Sequence, residues 1–159
     1  MAQKLTKKSK VAVKPIKTVP VKKGVLAMPK EYFSAIGRRK TAIARVRIWP
    51  GKQELVVNGK PLTSYFKSDT IKKMINSPFA AAEILGQYTG SIKVAGSGIM
   101  GQAEAIMHGI GRALAKADPE KFKKLMRDKG FLTRDPRMKE TRKAGQGGRA
   151  RAKKQSPKR

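Results

Sequence analysis

The chain has 159 residues, with 38 Lys and Arg against 10 Asp and Glu, for a formal net charge of +28. That length suits one domain, and a charge this large repels itself unless a polyanion cancels it, nucleic acid being the commonest. No apolar run approaches the roughly 18 residues a membrane helix needs. Cysteine is absent and His108 is the only histidine, so disulfides, thiolate sites and a His-rich zinc site are excluded. With so few acids, an all-carboxylate cation site is not expected either, and no cofactor is expected.

Residues 1–30 carry nine Lys, no acid and a Pro/Val/Lys alternation. They have no apolar core like that of a secretory signal, and a transit peptide favours Arg and Ser over Lys and Pro. The expectation is a basic, disordered N-terminal extension. Residues 31–132 hold 18 basic and 8 acidic residues and nearly all the apolar material, so they are expected to form the globular domain. Residues 133–159 hold eleven basic residues against Asp135 and Glu140, and are expected to form an extended basic tail. Nearly two-thirds of the excess charge therefore sits in two flanks poor in apolar residues. No internal repeat is present.

Within the domain, Tyr32–Ile36 suits a strand or a lead-in to one. Thr41–Trp49 alternates as a half-buried strand should, with Ala42, Ala44, Val46 and Ile48 on one side and Thr41, Ile43, Arg45 and Arg47 on the other. Pro50-Gly51 marks a turn. Glu54–Val57 follows as a second strand, ended by Asn58-Gly59, and the two strands are expected to pair antiparallel. Asp69 is placed to cap a short helix over Thr70–Ile75. Ser77-Pro78 is placed as N-cap and first position of another over Phe79–Leu85. Tyr88–Ala95 returns as a strand. Gln102–Ala117 is the clearest helix, with Ala103, Ile106, Met107, Ile110, Leu114 and Ala117 as its apolar stripe. Asp118-Pro119-Glu120 starts a last helix with Phe122, Leu125 and Met126 on its apolar side, and Gly130 ends it. The fold class predicted is α/β in the α+β sense: a small mixed sheet with packed helices.

Several motifs bear on chemistry. Gly37 precedes Arg38, Arg39 and Lys40, which lead into Arg45 and Arg47. If alternation runs through, Arg39, Arg45 and Arg47 share one sheet face, where planar guanidinium forks suit phosphate oxygens. The plainer reading is a solvated face, but only Glu31 and Glu54 lie near enough in sequence to neutralise the row. Gly96-Ser97-Gly98-Ile99-Met100-Gly101 fits G-x-G-x-x-G between a strand and a helix. No strand-ending acid follows at the distance a dinucleotide site requires, and Asp118 is a helix cap there. A tight turn is the first reading, an RNA phosphate at the helix start the second, and a nucleotide cofactor the third. His108 lies one turn after Glu104 and off the apolar stripe. With no nucleophile arranged beside it, it is expected at the surface or facing RNA, not in acid–base catalysis. Tyr65, Phe66 and Tyr88 suit base stacking, but only nine aromatics are present and packing has the first claim on them. Met107 is expected in the core. In the C-terminal flank, Gly145, Gly147 and Gly148 allow close backbone approach, and 27 extended residues span up to roughly 90 Å.

Taken together, these pieces resemble the ninth small-subunit ribosomal protein family in its bacterial form. The matching residues are Gly37-Arg38-Arg39-Lys40-Thr41-Ala42 with Ala44-Arg45-Val46, then Val57-Asn58-Gly59 and Tyr65-Phe66. Next come Gly101-Gln102-Ala103, His108-Gly109-Ile110 and Arg112-Ala113-Leu114. Last are Leu132-Thr133-Arg134-Asp135-Pro136-Arg137 and the terminal Lys158-Arg159. They occur in family order over about residues 32–159. The resemblance implies a domain with a left-handed β-α-β crossover, an unusual hand. It implies a place in the head of the small subunit, on the 3′ major domain of the ribosomal RNA and beside neighbouring head proteins. It also implies that Lys158 and Arg159 touch the anticodon stem-loop of P-site tRNA. Three departures stand out. Gln155-Ser156-Pro157 lacks the family's aromatic, Met107 replaces a common Arg, and Glu104 replaces a common small residue.

The resulting expectation is a non-catalytic ribosomal constituent, neither membrane-bound nor a homo-oligomer, in a cytoplasmic or organellar ribosome. Its ribosomal-RNA contacts are assigned to Arg38, Arg39, Lys40, Arg45, Arg47, Arg112, Arg134, Arg137, Arg142, Lys143, Arg149 and Arg151, and its tRNA contacts to Lys158 and Arg159. Two alternatives stay open at this point: a DNA-coating nucleoid protein and a small nucleotide-dependent enzyme.

Overall fold

A computed structural model describes residues 29–139 of the chain. The domain is a mixed five-stranded sheet with four helices, in the α+β class expected. The strands are β1 (Phe33–Arg39), β2 (Ala42–Pro50), β3 (Val56–Val57), β4 (Lys60–Pro61) and β5 (Tyr88–Ala95). The helices are α1 (Leu62–Tyr65), α2 (Asp69–Ala81), α3 (Ile99–Ala117) and α4 (Pro119–Asp128). Strand order is β1-β2-β5-β3-β4, with β3 parallel to β5 and the other pairs antiparallel. The connection from β3 to its parallel neighbour β5 runs through β4, α1 and α2.

The expected hairpin between residues 41–49 and 54–57 does not form. β2 instead turns back on β1 through Lys40-Thr41, and β5 lies between β2 and β3. Lys40 has φ 50, which a tight two-residue hairpin requires of its first central residue. β3 is only two residues long, yet Asn58 extends its pairing beyond the strand. Its side-chain amide donates to Val94 O at 2.9 Å, and its carbonyl accepts from Val94 N–H at 3.0 Å. The carboxamide thus stands in for one more peptide of the strand. Asn58 itself sits at φ 50, a region Asn enters more readily than most residues.

The two helices expected around Ser77-Pro78 are one. α2 runs through Pro78, and Ser68 rather than Asp69 is its N-cap. Proline removes the N–H that would bond Met74 O four residues back. Ser77 Oγ donates to that same carbonyl at 2.7 Å, which replaces the missing bond. Pro78 and Phe79 are buried, so the ring packs as core and does not start a new element.

α3 is the centre of the domain. Ala103, Ile106, Ile110 and Leu114 are fully buried, as the stripe predicts, while Met107 and Ala117 are only half-buried. Ala105, Gly109 and Ala113 are fully buried as well. This second, small-residue face lets the helix lie almost on the strand backbone: a Cβ at Gly37 of β1 would come within 1.9 Å of Ala105 O. Full burial of each Ile or Leu here contributes about 1.5–3 kcal/mol. The outer edge of β1 is closed by α3. Arg112 donates to Ile36 O at 2.5 Å and Lys116 to Ser34 O at 2.9 Å. Edge carbonyls left open would invite pairing with another chain.

α4 begins as the sequence predicts, with Asp118 accepting from Lys121 N–H and Pro119 in the first turn. It ends in a Schellman turn: Gly130 at φ 74, Gly130 N–H to Arg127 O and Phe131 N–H to Met126 O. That turn plants Phe131 against Gly111 of α3. The following residues are thereby delivered to the edge of the sheet.

Candidate nucleic-acid interface

The sheet has one face covered by helices and one open. In an antiparallel pair, partner residues point the same way, so register assigns each side chain. Arg39 pairs with Ala42, a core residue, whereas Arg38 pairs with Ile43 and Ile36 with Arg45. Arg45 in turn pairs with Lys93, and Arg47 with Ser91. The open face therefore carries Arg38, Arg45, Arg47 and Lys93, with exposed Ile36 and Ile43 between them. Arg47 also stacks over the Tyr32 ring at 5.3 Å.

This corrects the expectation that Arg39, Arg45 and Arg47 share a face. A two-residue turn places residues 39 and 42 on the same side, so odd numbers point inward before the turn and outward after it. Arg38, not Arg39, joins the row. Arg39 is only 9% exposed. Its Nε pairs with Glu104, Nη1 donates to Arg137 O at 2.6 Å, and Nη2 lies 3.1 Å from Asp135. Every guanidinium nitrogen has a partner within the protein. Lys40 is exposed at the tip of the turn.

The second correction concerns His108. It is 8% exposed, not a surface residue. Its Nδ1 accepts from Arg38 N–H at 3.3 Å, which requires the Nε2–H tautomer. Nε2 then donates to Leu132 O at 3.2 Å. The ring is a strut joining β1, α3 and the residues after α4. Burial pulls its pKa below the ordinary histidine value, an effect only partly offset by the bond to Leu132, and Arg112 and Arg134 push the same way. Glu104 pairs with Arg39 and leaves no Glu–His couple.

These struts bring the start of the C-terminal flank to the domain. Asp135 accepts from the N–H and guanidinium of Arg137 and from Arg39. The Arg137 hydrogen bonds, followed by the nearby Arg39 charge, hold the Asp135 carboxyl well below the usual carboxylate range. Arg134, between the anchored Leu132 and Asp135, is exposed. A groove of about 790 Å³ results, lined by Arg38, Arg45 and Arg47 from the sheet, Arg112 and Lys116 from α3, and Arg134 from the flank. No Asp or Glu lines it. Glu54, one of the two acids near the row in sequence, is engaged elsewhere by the N–H and hydroxyl of Thr63. Arg142, Lys143, Arg149, Arg151, Lys158 and Arg159 lie outside the described residues.

The Gly-rich stretch is a tight turn. Gly96 and Ser97 both have positive φ, and Gly96 lies so close to Thr41 that a Cβ would come within 2.3 Å of its carbonyl oxygen. Gln102 holds the turn by donating to Gly96 O and accepting from the Tyr65 hydroxyl. Tyr65 packs edge-on against buried Phe66, and Tyr88 stacks on Phe79. The aromatics therefore pack, as the plainer reading had it. Sequence reasoning missed Lys93 and Lys116, whose roles depend on strand and helix register. Among the described residues, no cluster of acids and His is arranged to hold a metal ion, and no helix is long and apolar enough to cross a membrane.

A sheet face and a helix edge that present cations without acids make a surface whose charge suits a polyanion. Residues 37–159 match the family described as ribosomal protein S9/S16. The chain is 46% identical over 118 residues to the small ribosomal subunit protein uS9 of Lawsonia intracellularis, covering 74% of this chain and 90% of that protein. It is 43% identical over 132 residues to the uS9 of Maridesulfovibrio salexigens, covering 83% of this chain and all of that protein. The chain belongs to the ribosomal protein S9/S16 family, whose members are structural constituents of the small ribosomal subunit and not enzymes.

Proposed function

We propose that the chain binds ribosomal RNA in the head of the small subunit, on its 3′ major domain, through the acid-free groove between the open sheet face and α3. One observation carries this reading: six cations from three separate segments line that groove with no carboxylate among them. A core-packing role would not need them, and a solvated face would not exclude acids. Binding would proceed by displacement of cations condensed on phosphates. Phosphate contacts fix position, and shape and 2′-hydroxyl contacts supply preference for RNA. Ile36 and Ile43 offer apolar surface between the arginines, which suits sugar and base edges. Arg39 supports this surface from beneath. Lys40, at the turn tip, and Arg137, whose guanidinium is held by Asp135, contribute positive charge beside it.

The basic flanks extend the same chemistry. Lys158 and Arg159 are assigned to the anticodon stem-loop of P-site tRNA, and neighbouring head proteins complete the surroundings. The setting is a ribosome, cytoplasmic or organellar, with the chain present as a single copy.

The test is binding of the full chain to a transcript of the head domain of small-subunit RNA across a salt series. Arg38→Gln with Arg45→Gln should flatten the slope of log affinity against log salt by roughly two contacts' worth. Duplex DNA of equal length should bind more weakly than the transcript. Equal affinity for DNA, or an unchanged slope in the double variant, refutes the reading.

A further inference from the structure

The acids of this chain are few, and two of them, Glu104 and Asp135, line a cleft that shares Arg38 and His108 with the cationic groove. We propose that Glu104 and Asp135 are positioning residues for RNA binding, which act by docking the start of the C-terminal flank so that Arg134 completes the groove. This inference rests on the function proposed above and identifies what assembles that site.

Arg134 is the sixth cation of the groove and the only one outside the strands and helices. It sits between two tethers. Two residues before it, Leu132 O accepts from His108. One residue after it, Asp135 pairs with Arg39. Arg39 is in turn oriented by Glu104 of α3, and it also holds Arg137 O. The guanidinium is thus a three-way joint between β1, α3 and residues 135–137. With the joint closed, the backbone on both sides of Arg134 is fixed before RNA arrives, so binding does not have to order it. His108, Arg112 and Arg134 line the groove together.

Without Glu104, the nearly buried Arg39 retains one carboxylate partner instead of two. A guanidinium in that position must find solvent or a new partner. Its hold on Asp135 and Arg137 O loosens, and Arg134 is no longer fixed at the groove.

Simple charge counting points the opposite way. Glu104→Gln raises the net positive charge by one, which by long-range attraction alone should tighten binding to a polyanion. The two accounts differ in sign, so affinity decides between them.

The experiment measures affinity of the full-length chain for the head-domain transcript at fixed, near-physiological salt, for wild type, Glu104→Gln, Asp135→Asn, Arg134→Gln and the Glu104→Gln/Arg134→Gln double variant. Expected results are a severalfold loss for Glu104→Gln and Asp135→Asn despite their added charge, and a loss of about tenfold for Arg134→Gln. The double variant should be little weaker than Arg134→Gln alone, because the acids act through that residue. Trypsin should cleave after Arg134 faster in the two acid variants, with the bond after Arg112 still protected. Should Glu104→Gln unfold the domain, Asp135→Asn, a change on the flank itself, decides in its place. Equal or tighter binding by Asp135→Asn, or losses that simply add in the double variant, overturns the inference while leaving the groove's function standing. Failure of wild type to bind the transcript in a salt-dependent way overturns both.

Discussion

Among the described glycines, Gly37 makes the closest approach, against α3, and it yields a prediction that local propensity reverses. Gly37 lies inside β1, where replacing glycine by alanine ordinarily stabilises by about 0.5–1 kcal/mol, by reducing the freedom of the unfolded chain. Here the added carbon would lie 1.9 Å from Ala105 O, 2.5 Å from Gly109 N and 2.9 Å from Gly109 Cα. All three are backbone atoms, so no side chain can rotate away. Relief requires moving α3 off the sheet or buckling β1, and either breaks the packing of the most buried helix. The cost should reach the top of the overpacking range, about 3 kcal/mol or more. At about 4–8 °C per kcal/mol for a domain near this size, the melting temperature should fall by roughly 12–24 °C. Gly98→Ala is the control. That site has φ −95 with nothing within 4 Å of the added carbon, and the change should stay within about 1 kcal/mol of wild type. Far-UV circular dichroism melts of the full chain read both. A Gly37→Ala melting temperature within a few degrees of wild type would refute the close approach.

Other outcomes follow from the same contacts. His108 has a depressed pKa when folded, so the unfolded chain takes up its proton first as pH falls. The stability it contributes is present above about pH 6.5, the ordinary histidine value, and is lost as pH falls through the folded value. Urea midpoints at pH 7.5 and 5.5 should therefore converge between wild type and His108→Gln at the lower pH, and a constant gap would contradict the buried neutral ring. Asn58→Ala removes both bonds to Val94 and should cost about 1–3 kcal/mol, measurable as a shift in urea midpoint at unchanged slope. Asp118→Ala removes the cap on α4 and should cost about 0.5–2 kcal/mol; hydrogen exchange should show the loss confined first to α4 and the Schellman turn. Deleting Lys158 and Arg159 should weaken tRNA binding to the P site of reconstituted subunits while leaving incorporation of the protein intact. A truncated chain that fails to enter the subunit would contradict that division of labour.

Much of this protein was legible without coordinates. Net charge pointed to a polyanion, the spacing of Ile106, Ile110 and Leu114 defined α3, and Asp118-Pro119 with Gly130 bounded α4, because each of these signals is local. Helix caps, turn residues and periodicity act over a few residues, and sequence carries them directly. Partners distant in the chain had to be seen in three dimensions. That β5 separates β2 from β3, that Ser77 compensates Pro78, and that His108 ties Arg38 to Leu132 depend on which segments meet. The exchange of Arg38 for Arg39 on the open face shows why. A turn of two residues at Lys40-Thr41 reverses the parity between the two strands, and with it the sides to which Arg38 and Arg39 point relative to Arg45 and Arg47. Composition determined that this chain would present positive charge. Register and packing alone decided which arginine faces the open side of the sheet and which is held inside by Glu104 and Asp135.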